Sequence, residues 1–504
     1  MCSPSRATLL TGQYPAQHGV TLTLTTGDLR PDRTNAPSVF LTLGDILRRA
    51  GAPRGRVVRQ FLRGLLQLGP KSGHEPVLPP GIPNLARLLR AAGYEVAYKG
   101  KWHLTRPLGE DGWGEQDAER LEREYGFAGW EPPDAGENAE AEHFGGGRAG
   151  PGEQGWDEEY TRQAERWLSR AGLPEPFCLV VSLVNPHDVL GYPASYEAGG
   201  YSAAEFRDLD VGLPPTVDED LRDKPTVHTL MRLGMTAYLG PLRTRRAQLD
   251  YVNFYAYLHR VVDEKIGRLL RALGDAEDPT SLRSRTLIVR CSDHGEMGLA
   301  HGGLRQKMFN TYEETIHVPL VFSNPVLFPR AVTTTALASL IDIVPTLLSL
   351  ARTQAGDGPR GRDLTPILSA HALPDGERSR RCGVDLGPVI EHPGPQRSVQ
   401  DAIHFTYDDH QAATALQNVP GQPNRIRCIR DRRMKYAFYF DPSGRAGTEY
   451  EMYDLERDPD ERRNLVDRFS GEATDPDHRG ARRELGEHLD QMMGECATGP
   501  PGPV

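Results

Sequence analysis

In the first two thirds of the chain, apolar residues follow two patterns that alternate: short continuous runs, and repeats at the spacing of a helix. Short apolar runs bounded by turn residues predict buried strands at 94–98, 177–184, 286–291 and 318–323. Helical patterns accompany them at 85–92, 155–172, 255–273 and 339–351. Strands that alternate with helices favour parallel pairing. The sequence therefore predicts an α/β fold, with a mixed, mainly parallel sheet flanked by helices on both faces.

The pattern changes after a Gly- and Pro-rich stretch at about 355–400. Beyond it, β-rich runs predict a small antiparallel sheet, at 402–407, 425–430 and 435–440. We therefore predict an α/β domain over residues 1–370 and a smaller C-terminal α+β subdomain, with a charged tail, over 371–504. The segment 105–155, rich in Gly, Glu and Pro, predicts a long surface loop.

Composition and charge narrow the classes of function. The 504 residues carry 59 Lys and Arg against 69 Asp and Glu, a formal net charge of −10, which argues against nucleic-acid binding. No run approaches the ~18 uninterrupted apolar residues of a membrane span, so we expect no membrane partner. The six cysteines are scattered without a CxxC pair, which favours a reducing, cytoplasmic compartment. An anionic ligand would need basic side chains gathered locally.

Reactive side chains follow three of the predicted strands directly. Lys101 and His103 come after the first strand, His187 after the second, and Asp293 and His294 after the third. Ligands of open α/β sheets bind at the carboxyl ends of the strands. These side chains are therefore predicted to share one site. In isolation, a histidine in such a loop is more often an ordinary hydrogen-bonding residue.

The opening segment reads as the start of a helix. Ser3 suits an N-cap, Pro4 the first helical position and Gly12 the end. Cys2 would then lie at a helix N-terminus, where free N–H groups favour an anion. The simplest alternative is an ordinary capped helix with an inert thiol, and with Arg6 as a surface cation.

Taken together, these motifs resemble the sulfatase family. The matching segments follow the family's order along the chain, at 2–6, 93–103, 185–188, 292–296, Lys307 and 453–459. The resemblance covers about residues 1–465. It implies an alkaline-phosphatase-like fold and a hydrolase that cleaves a sulfate ester.

The resemblance also implies the roles of the catalytic residues. Cys2 is oxidised to formylglycine by a maturation enzyme, and the hydrated aldehyde attacks the sulfur of a small anionic ester. Arg6, Lys101 and His103 contact the hydrate, and His103 or Lys101 helps to deprotonate it. The residues that correspond to His187 and Lys307 grip the sulfate oxygens and assist the leaving group. Lys307 is the hardest of these to align, since a lysine in a polar loop is ordinarily solvated.

A divalent metal is part of the same implication, with Cys2, Asp293 and His294 as ligands. Ca²⁺ is the first expectation, and the nitrogen ligand leaves Mn²⁺ or Zn²⁺ open. Many family members have Asp-Asn at 293–294. Asp-His is more typical of phosphonate monoester hydrolases and choline-sulfatase-like members, so phosphonate or phosphate ester hydrolysis stays open. Glu296 and His301 lie near these ligands and suggest structural roles.

Family members also begin with a strand that ends in an Asp-Asp pair, which supplies two further metal ligands. Here only Met1 precedes Cys2. Three ligands are fewer than the six to eight oxygens that Ca²⁺ prefers. The expectation is therefore either a longer protein with a misplaced start or a truncated, non-catalytic form.

Overall fold

Helices and strands alternate along the chain as predicted. The computed structural model describes residues 1–24, 75–136, 140–353, 358–365, 367–368, 398–409 and 423–500. The predicted domain boundary at 370/371 lies outside the described residues and stays a prediction. Within the described ranges, no helix is long and apolar enough to cross a membrane.

The regular helices of the described ranges are numbered in chain order; the short turn Ala300–Gly303 is left unnumbered, because His301 and Gly302 within it have left-handed φ values of 50° and 70°. They are α1 (Cys2–Thr11), α2 (Pro15–His18), α3 (Leu85–Ala91), α4 (Glu115–Arg120), α5 (Trp156–Leu168), α6 (Thr226–Leu239), α7 (Arg245–Ala272), α8 (Leu282–Arg285), α9 (Glu313–Ile316), α10 (Ile343–Leu350) and α11 (Arg479–Cys496). The helix α3 shows why the local sequence folds this way. The Asn84 side chain accepts a hydrogen bond from the backbone N–H of Arg87 and caps its first turn, while Leu85 and Leu89 are buried.

Within the described ranges, the strands form three small sheets. They are β1 (Glu95–Gly100), β2 (Phe177–Ser182), β3 (Ile288–Cys291), β4 (Leu320–Ser323), β5 (Ala402–Tyr407), β6 (Arg425–Asp431), β7 (Met434–Phe440) and β8 (Glu449–Asp454). The first two strands pair in parallel, with Glu95 opposite Phe177 and Gly100 opposite Ser182. The next two pair antiparallel, and β5 to β8 form an antiparallel meander in chain order.

The mixed α/β class with a C-terminal antiparallel sheet is thereby confirmed. A single, mainly parallel sheet is not what the described strands show, because β1–β2 is the parallel pair and β3–β4 is antiparallel. The strand β8 has no counterpart among the predicted strands. The glutamates of β8 interrupt the apolar pattern from which a buried strand is predicted. Glu451 is nevertheless buried, and it accepts hydrogen bonds from the hydroxyls of Tyr439 and Tyr453.

The C-terminal sheet is covered on both faces by apolar side chains. On one face, Tyr439 and Ile426 pack with methionines of α6. On the other face, Leu485 and Leu489 of α11 pack against Ile429. Burial of the face towards α6 attaches this sheet to the rest of the protein through the hydrophobic effect, and burial of the other face attaches α11 to the sheet.

The segment 105–155 is not simply a surface loop, and that prediction is wrong. It contains α4 and a turn of π-helix at Leu121–Tyr125, and it buries Phe127 and Trp130 completely or nearly so. Ala128 forms a parallel bridge to Ala97 beside β1. A few large aromatic residues anchor the segment, although Gly, Glu and Pro dominate its composition.

Candidate active site

A cavity of about 860 Å³ is bounded by β2, β3, α7 and α10. Much of its wall is apolar. Side chains predicted to be catalytic or metal-binding also line it: Cys2, Arg6, Lys101, His187, Asp293, His294 and Lys307. The structure thus brings together residues from five separate segments of the chain, as expected for groups that follow neighbouring strand ends. His103, two residues beyond Lys101, is buried but does not line this cavity.

The helix α1 carries the predicted nucleophile at its first residue. It begins at Cys2 rather than at Pro4, and Gly12 ends it with a left-handed φ of 66°. Ser3 does not cap it, because the Ser3 hydroxyl accepts a hydrogen bond from the Leu24 backbone N–H at 3.0 Å. The Cys2 side chain is buried, and its Sγ lies 3.0 Å from His294 Nε2.

Arg6 lies one turn after Cys2 and points towards the end of β1. Its guanidinium donates to the Trp102 backbone oxygen at 3.0 Å, and to the Tyr98 and Ser182 hydroxyls at 2.8 Å each. The remaining Nη1 lies 3.9 Å from Asp293 Oδ2. Arg6 is therefore not a surface cation: it is buried and ties α1 to the ends of both parallel strands. The sequence assigns no role to Tyr98, although it lies within the matching segment 93–103, and Ser182 lies in no matching segment.

Lys101 and His103 lie in the turn that follows β1. At the strand's last residue, Gly100, a Cβ atom would lie 2.1 Å from the Ser182 oxygen, so only glycine allows this close approach to β2. The Lys101 ammonium donates to the Gly136 carbonyl. His103 Nε2 lies 2.8 Å from the Leu24 carbonyl oxygen, and its Nδ1 has no hydrogen-bond partner within the described ranges.

That contact fixes the tautomer of His103. A carbonyl oxygen only accepts, so Nε2 carries the hydrogen and Nδ1 keeps its lone pair. Burial and the nearby Lys101 cation hold the pKa of His103 well below its ordinary value. The ring is therefore neutral at neutral pH, with a free nitrogen that can accept a proton.

His187 follows β2 and opens a short 3₁₀ turn, His187–Gly191. Burial, and after it the cations Lys101 and Lys307, hold its pKa well below the ordinary value. Like His103, it is neutral in the free site. Its Nδ1 is also buried without a hydrogen-bond partner among the described groups.

Asp293 and His294 follow β3 and lie beside Cys2. In the neutral form of His294, Nδ1 donates to the Gly295 carbonyl oxygen at 2.8 Å, and the lone pair of that form lies on Nε2, the nitrogen that faces Cys2 Sγ. Burial alone would raise the pKa of Asp293, but His294 and Arg6 outweigh it and lower that pKa to about 2. The carboxylate is therefore ionised under all ordinary conditions.

Lys307 is buried and donates to the Gln306 side-chain oxygen at 3.1 Å. Its cation also acts on Cys2, the predicted nucleophile. Burial would raise the pKa of the Cys2 thiol, but Lys307, His294 and Lys101 together lower it well below its ordinary value. Cys178 and Cys291 line the same cavity, yet burial raises their pKa values to about 12 and about 11. The surroundings of Cys2 are thus distinctly electropositive.

The donor atoms of Cys2, Asp293 and His294 fit a divalent metal. One ligand atom from each lies within 4.8 Å of the others. Asp293 is ionised, and the bond between His294 Nδ1 and a backbone carbonyl orients the ring so that its other nitrogen, Nε2, is the one placed to act as a ligand. The oxygen of Asp293 and the nitrogen of His294 suit Mn²⁺ or Zn²⁺ as well as Ca²⁺.

Comparison with known proteins supplies the family. The sulfatase family model matches residues 55–353, more than half of the chain. The protein therefore belongs to the sulfatase family. It is 29% identical over 288 residues to the uncharacterized sulfatase YidJ of Escherichia coli (strain K12), an alignment that covers 54% of this chain. The chain spans about half of the length of that relative, 52%.

Solved structures confirm the fold. A 2-O GAG sulfatase superposes with a TM-score of 0.62 at 19% identity, covering 99% of this chain and 82% of the other. The phosphonate monoester hydrolase of Silicibacter pomeroyi gives a TM-score of 0.61 at 19% identity, covering 98% of this chain and 86% of the other. At these identities the likeness shows the alkaline-phosphatase-like fold that both share.

Proposed function

We propose that the protein hydrolyses a sulfate ester of a small anionic substrate, with a formylglycine made from Cys2 as nucleophile. The observation that carries this proposal is the convergence of the family's motif residues on one cavity, with Cys2 Sγ 3.0 Å from His294 Nε2. Conversion of Cys2 requires a maturation enzyme, which is the one protein partner that we propose. The unpaired cysteines of the described ranges support a reducing compartment such as the cytoplasm.

The proposed reaction uses both hydroxyl groups of the hydrated formylglycine, and an unmodified thiol could not replace them. One hydroxyl of the hydrated aldehyde attacks sulfur, and the bond between sulfur and the alcohol oxygen breaks. The second hydroxyl then loses its proton, the carbonyl reforms and sulfate leaves. Water adds to the aldehyde and restores the hydrate. Each covalent step therefore uses an oxygen of residue 2.

The surrounding residues bind the anion and move protons. Lys101 and Lys307 supply positive charge in a buried setting, where electrostatic stabilisation of an anionic transition state is strong. His103 is proposed to accept the proton of the second hydroxyl, because its free Nδ1 keeps a lone pair. His187 is proposed to donate a hydrogen bond towards the leaving group, and Arg6 to hold the turn that bears Lys101.

Asp293, His294 and the oxygen of the modified residue 2 are the proposed metal ligands. When bound, a divalent metal supplies positive charge that screens the repulsion between the anionic ester and the attacking oxygen. We propose Ca²⁺ as the metal. Mn²⁺ and Zn²⁺ are the alternatives, because both accept a nitrogen ligand such as His294 readily. Arg6 Nη1, 3.9 Å from Asp293, helps to keep this carboxylate ionised and oriented.

Hydrolysis of a phosphonate or phosphate ester is the second candidate. It is favoured by the Asp293–His294 pair and by the fold shared with the Silicibacter pomeroyi phosphonate monoester hydrolase. The cationic cavity would accept either anion, since Arg6, Lys101 and Lys307 recognise charge rather than the central atom.

The two candidates are separated by relative rates on matched esters. The protein, matured by coexpression with a formylglycine-generating enzyme, is assayed on p-nitrophenyl sulfate and on p-nitrophenyl phenylphosphonate, with the metal supplied. We expect the higher kcat/KM on the sulfate. A higher kcat/KM on the phosphonate would establish the second candidate, and the absence of both activities in fully converted protein would favour a non-catalytic protein.

A further inference from the structure

Each parallel strand of the site ends at a buried carboxylate that belongs to another segment. Asp134, 1% exposed, accepts the backbone N–H groups of Trp102 at 2.8 Å and His103 at 2.6 Å. Asp157, fully buried, accepts those of Val184 at 2.5 Å and Asn185 at 3.0 Å. In both cases the two carboxylate oxygens bind two consecutive backbone donors just beyond a strand.

Such bonds restrain the turn that follows β1 strongly. Buried backbone N–H groups need acceptors, and hydrogen bonds to an ionised carboxylate are short and strong. The turn needs this support, because His103 has a φ of 55°, a left-handed conformation that side chains rarely adopt. The Arg6 guanidinium binds the same turn from the other side, through the Trp102 carbonyl.

We propose that Asp134 is a positioning residue of the site: it holds the Lys101–His103 turn so that the His103 ring and the Lys101 ammonium keep their working placement. Asp134 does not line the cavity, so it acts through these residues and not on the substrate. The proposal rests on the proposed function, in which His103 accepts a proton and Lys101 binds the anion.

Asp117 offers a matched control. It too is fully buried, and it accepts two backbone N–H groups, from Leu108 and Gly114, at 3.0 Å each. Arg120 Nη2 lies 3.1 Å from its Oδ1. The loop that Asp117 restrains carries no residue of the site. Asp117→Asn therefore removes the same kind of bonds, two backbone N–H groups held by one buried carboxylate, at a loop that does not bear the catalytic turn.

The experiment compares Asp134→Asn and Asp117→Asn in the matured, full-length protein. Asparagine keeps one acceptor oxygen and places an N–H₂ group against the second backbone donor. We expect both variants to lower Tm. Only Asp134→Asn is expected to lower kcat, by about 10–100-fold, because a misplacement of catalytic groups by about 1 Å reduces the rate by that factor. KM should change less than about threefold. If Asp134→Asn does not fold, Asp134→Glu is measured instead, with the same split expected.

A second readout does not depend on turnover. In protein with ¹⁵N-labelled histidine, the His103 ring resonances should shift in Asp134→Asn and stay in place in Asp117→Asn. Unchanged resonances and unchanged kcat in Asp134→Asn would overturn the proposal, as would equal losses of kcat in both variants. If the wild type turns over no sulfate ester, the proposed function fails, and the ring resonances alone still decide whether Asp134 positions His103.

Discussion

Within the described ranges, two partly buried clusters each bring three potential metal ligands together. The site cluster consists of Cys2, Asp293 and His294, and the His301 cluster consists of His301, Glu314 and Glu461. By proximity of ligand atoms they are equivalent. Their charges differ, and that difference decides which one is suited to bind a metal and an anion.

The His301 cluster balances its own charge. His301 Nδ1 lies 2.7 Å from Glu219, and Lys435 Nζ lies 2.5 Å from Glu461. Burial alone would lower the pKa of His301, but the carboxylates of Glu219 and Glu314 outweigh it and raise that pKa to about 9. A protonated imidazole has no lone pair for a metal. Glu461 also accepts the backbone N–H of Glu313 at 2.7 Å, and this bond joins the C-terminal region to α9.

The site cluster has the opposite character. The two histidines near it, His103 and His187, have lowered pKa values, because burial and lysine cations oppose their protonation. His294 turns Nε2 towards Cys2, while its Nδ1 contacts the Gly295 carbonyl oxygen. Positive charge from Lys101 and Lys307 remains available for an anion. Proximity of ligand atoms therefore indicates a metal site only when the protonation state of the histidines and the charges around them also permit metal binding.

The largest effect that separates the clusters is expected at the nucleophile. Cys2→Ala should abolish hydrolysis of p-nitrophenyl sulfate, a loss of at least about 10³-fold in kcat, since no other group supplies the attacking oxygen. Cys291→Ala is the matched control, because it removes a thiol from the same cavity whose pKa is raised to about 11. Equal activity of Cys2→Ala and wild type would contradict the assignment.

The next effect is on stability and belongs to the His301 cluster. A raised folded pKa, about 9 against an ordinary 6.5, gives stability that is fully present below pH 6.5 and is lost as pH rises through 9. His301→Gln should therefore lower the free energy of unfolding by roughly 3 kcal/mol at pH 6 and by much less above pH 9.5.

Urea unfolding at several pH values checks this expectation. The same substitution should leave KM for the sulfate ester unchanged at pH 7. A destabilisation that is as large above pH 9.5 as at pH 6 would show that His301 is not held protonated by Glu219 and Glu314.

The smallest effect concerns metal affinity and distinguishes the clusters directly. Asp293→Asn should weaken Mn²⁺ binding, measured by titration calorimetry, by at least about 10-fold, because a charged ligand is lost and loss of a residue that only supports a ligand already costs about that much. Glu461→Gln should leave that affinity unchanged and lower stability instead, since Lys435 loses a buried partner. Weaker Mn²⁺ binding in Glu461→Gln alone would reverse the interpretation of the two clusters.

The sequence could predict part of this convergence because three of the predicted site residues follow an element with a recognisable pattern. Lys101, His187 and Asp293 all come within a few residues of a predicted strand, and the rule for ligand sites in α/β sheets places such residues together. All three line the cavity, and so do Cys2 and Lys307, which follow no predicted strand. The catalytic and metal-binding roles of these residues stay predictions.

The residues that hold the site in shape had no such signal. Asp134 lies in a segment whose Gly, Glu and Pro content predicts an exposed loop, and its partners are backbone N–H groups about thirty positions away. Asp157 lies in the first turn of α5, where an acidic residue is ordinary. Bonds from a side chain to a distant backbone leave no periodic trace, so only the tertiary structure reveals them.

The measurement that tests the proposed nucleophile most directly relates turnover to the chemical state of residue 2. Preparations with different extents of maturation are assayed on p-nitrophenyl sulfate, and the fraction of Cys2 peptide that has lost roughly eighteen mass units is quantified by mass spectrometry. The proposed mechanism predicts that the rate per molecule is zero without conversion and rises in proportion to the converted fraction. Turnover by wholly unconverted protein, or none by wholly converted protein with metal present, would contradict it.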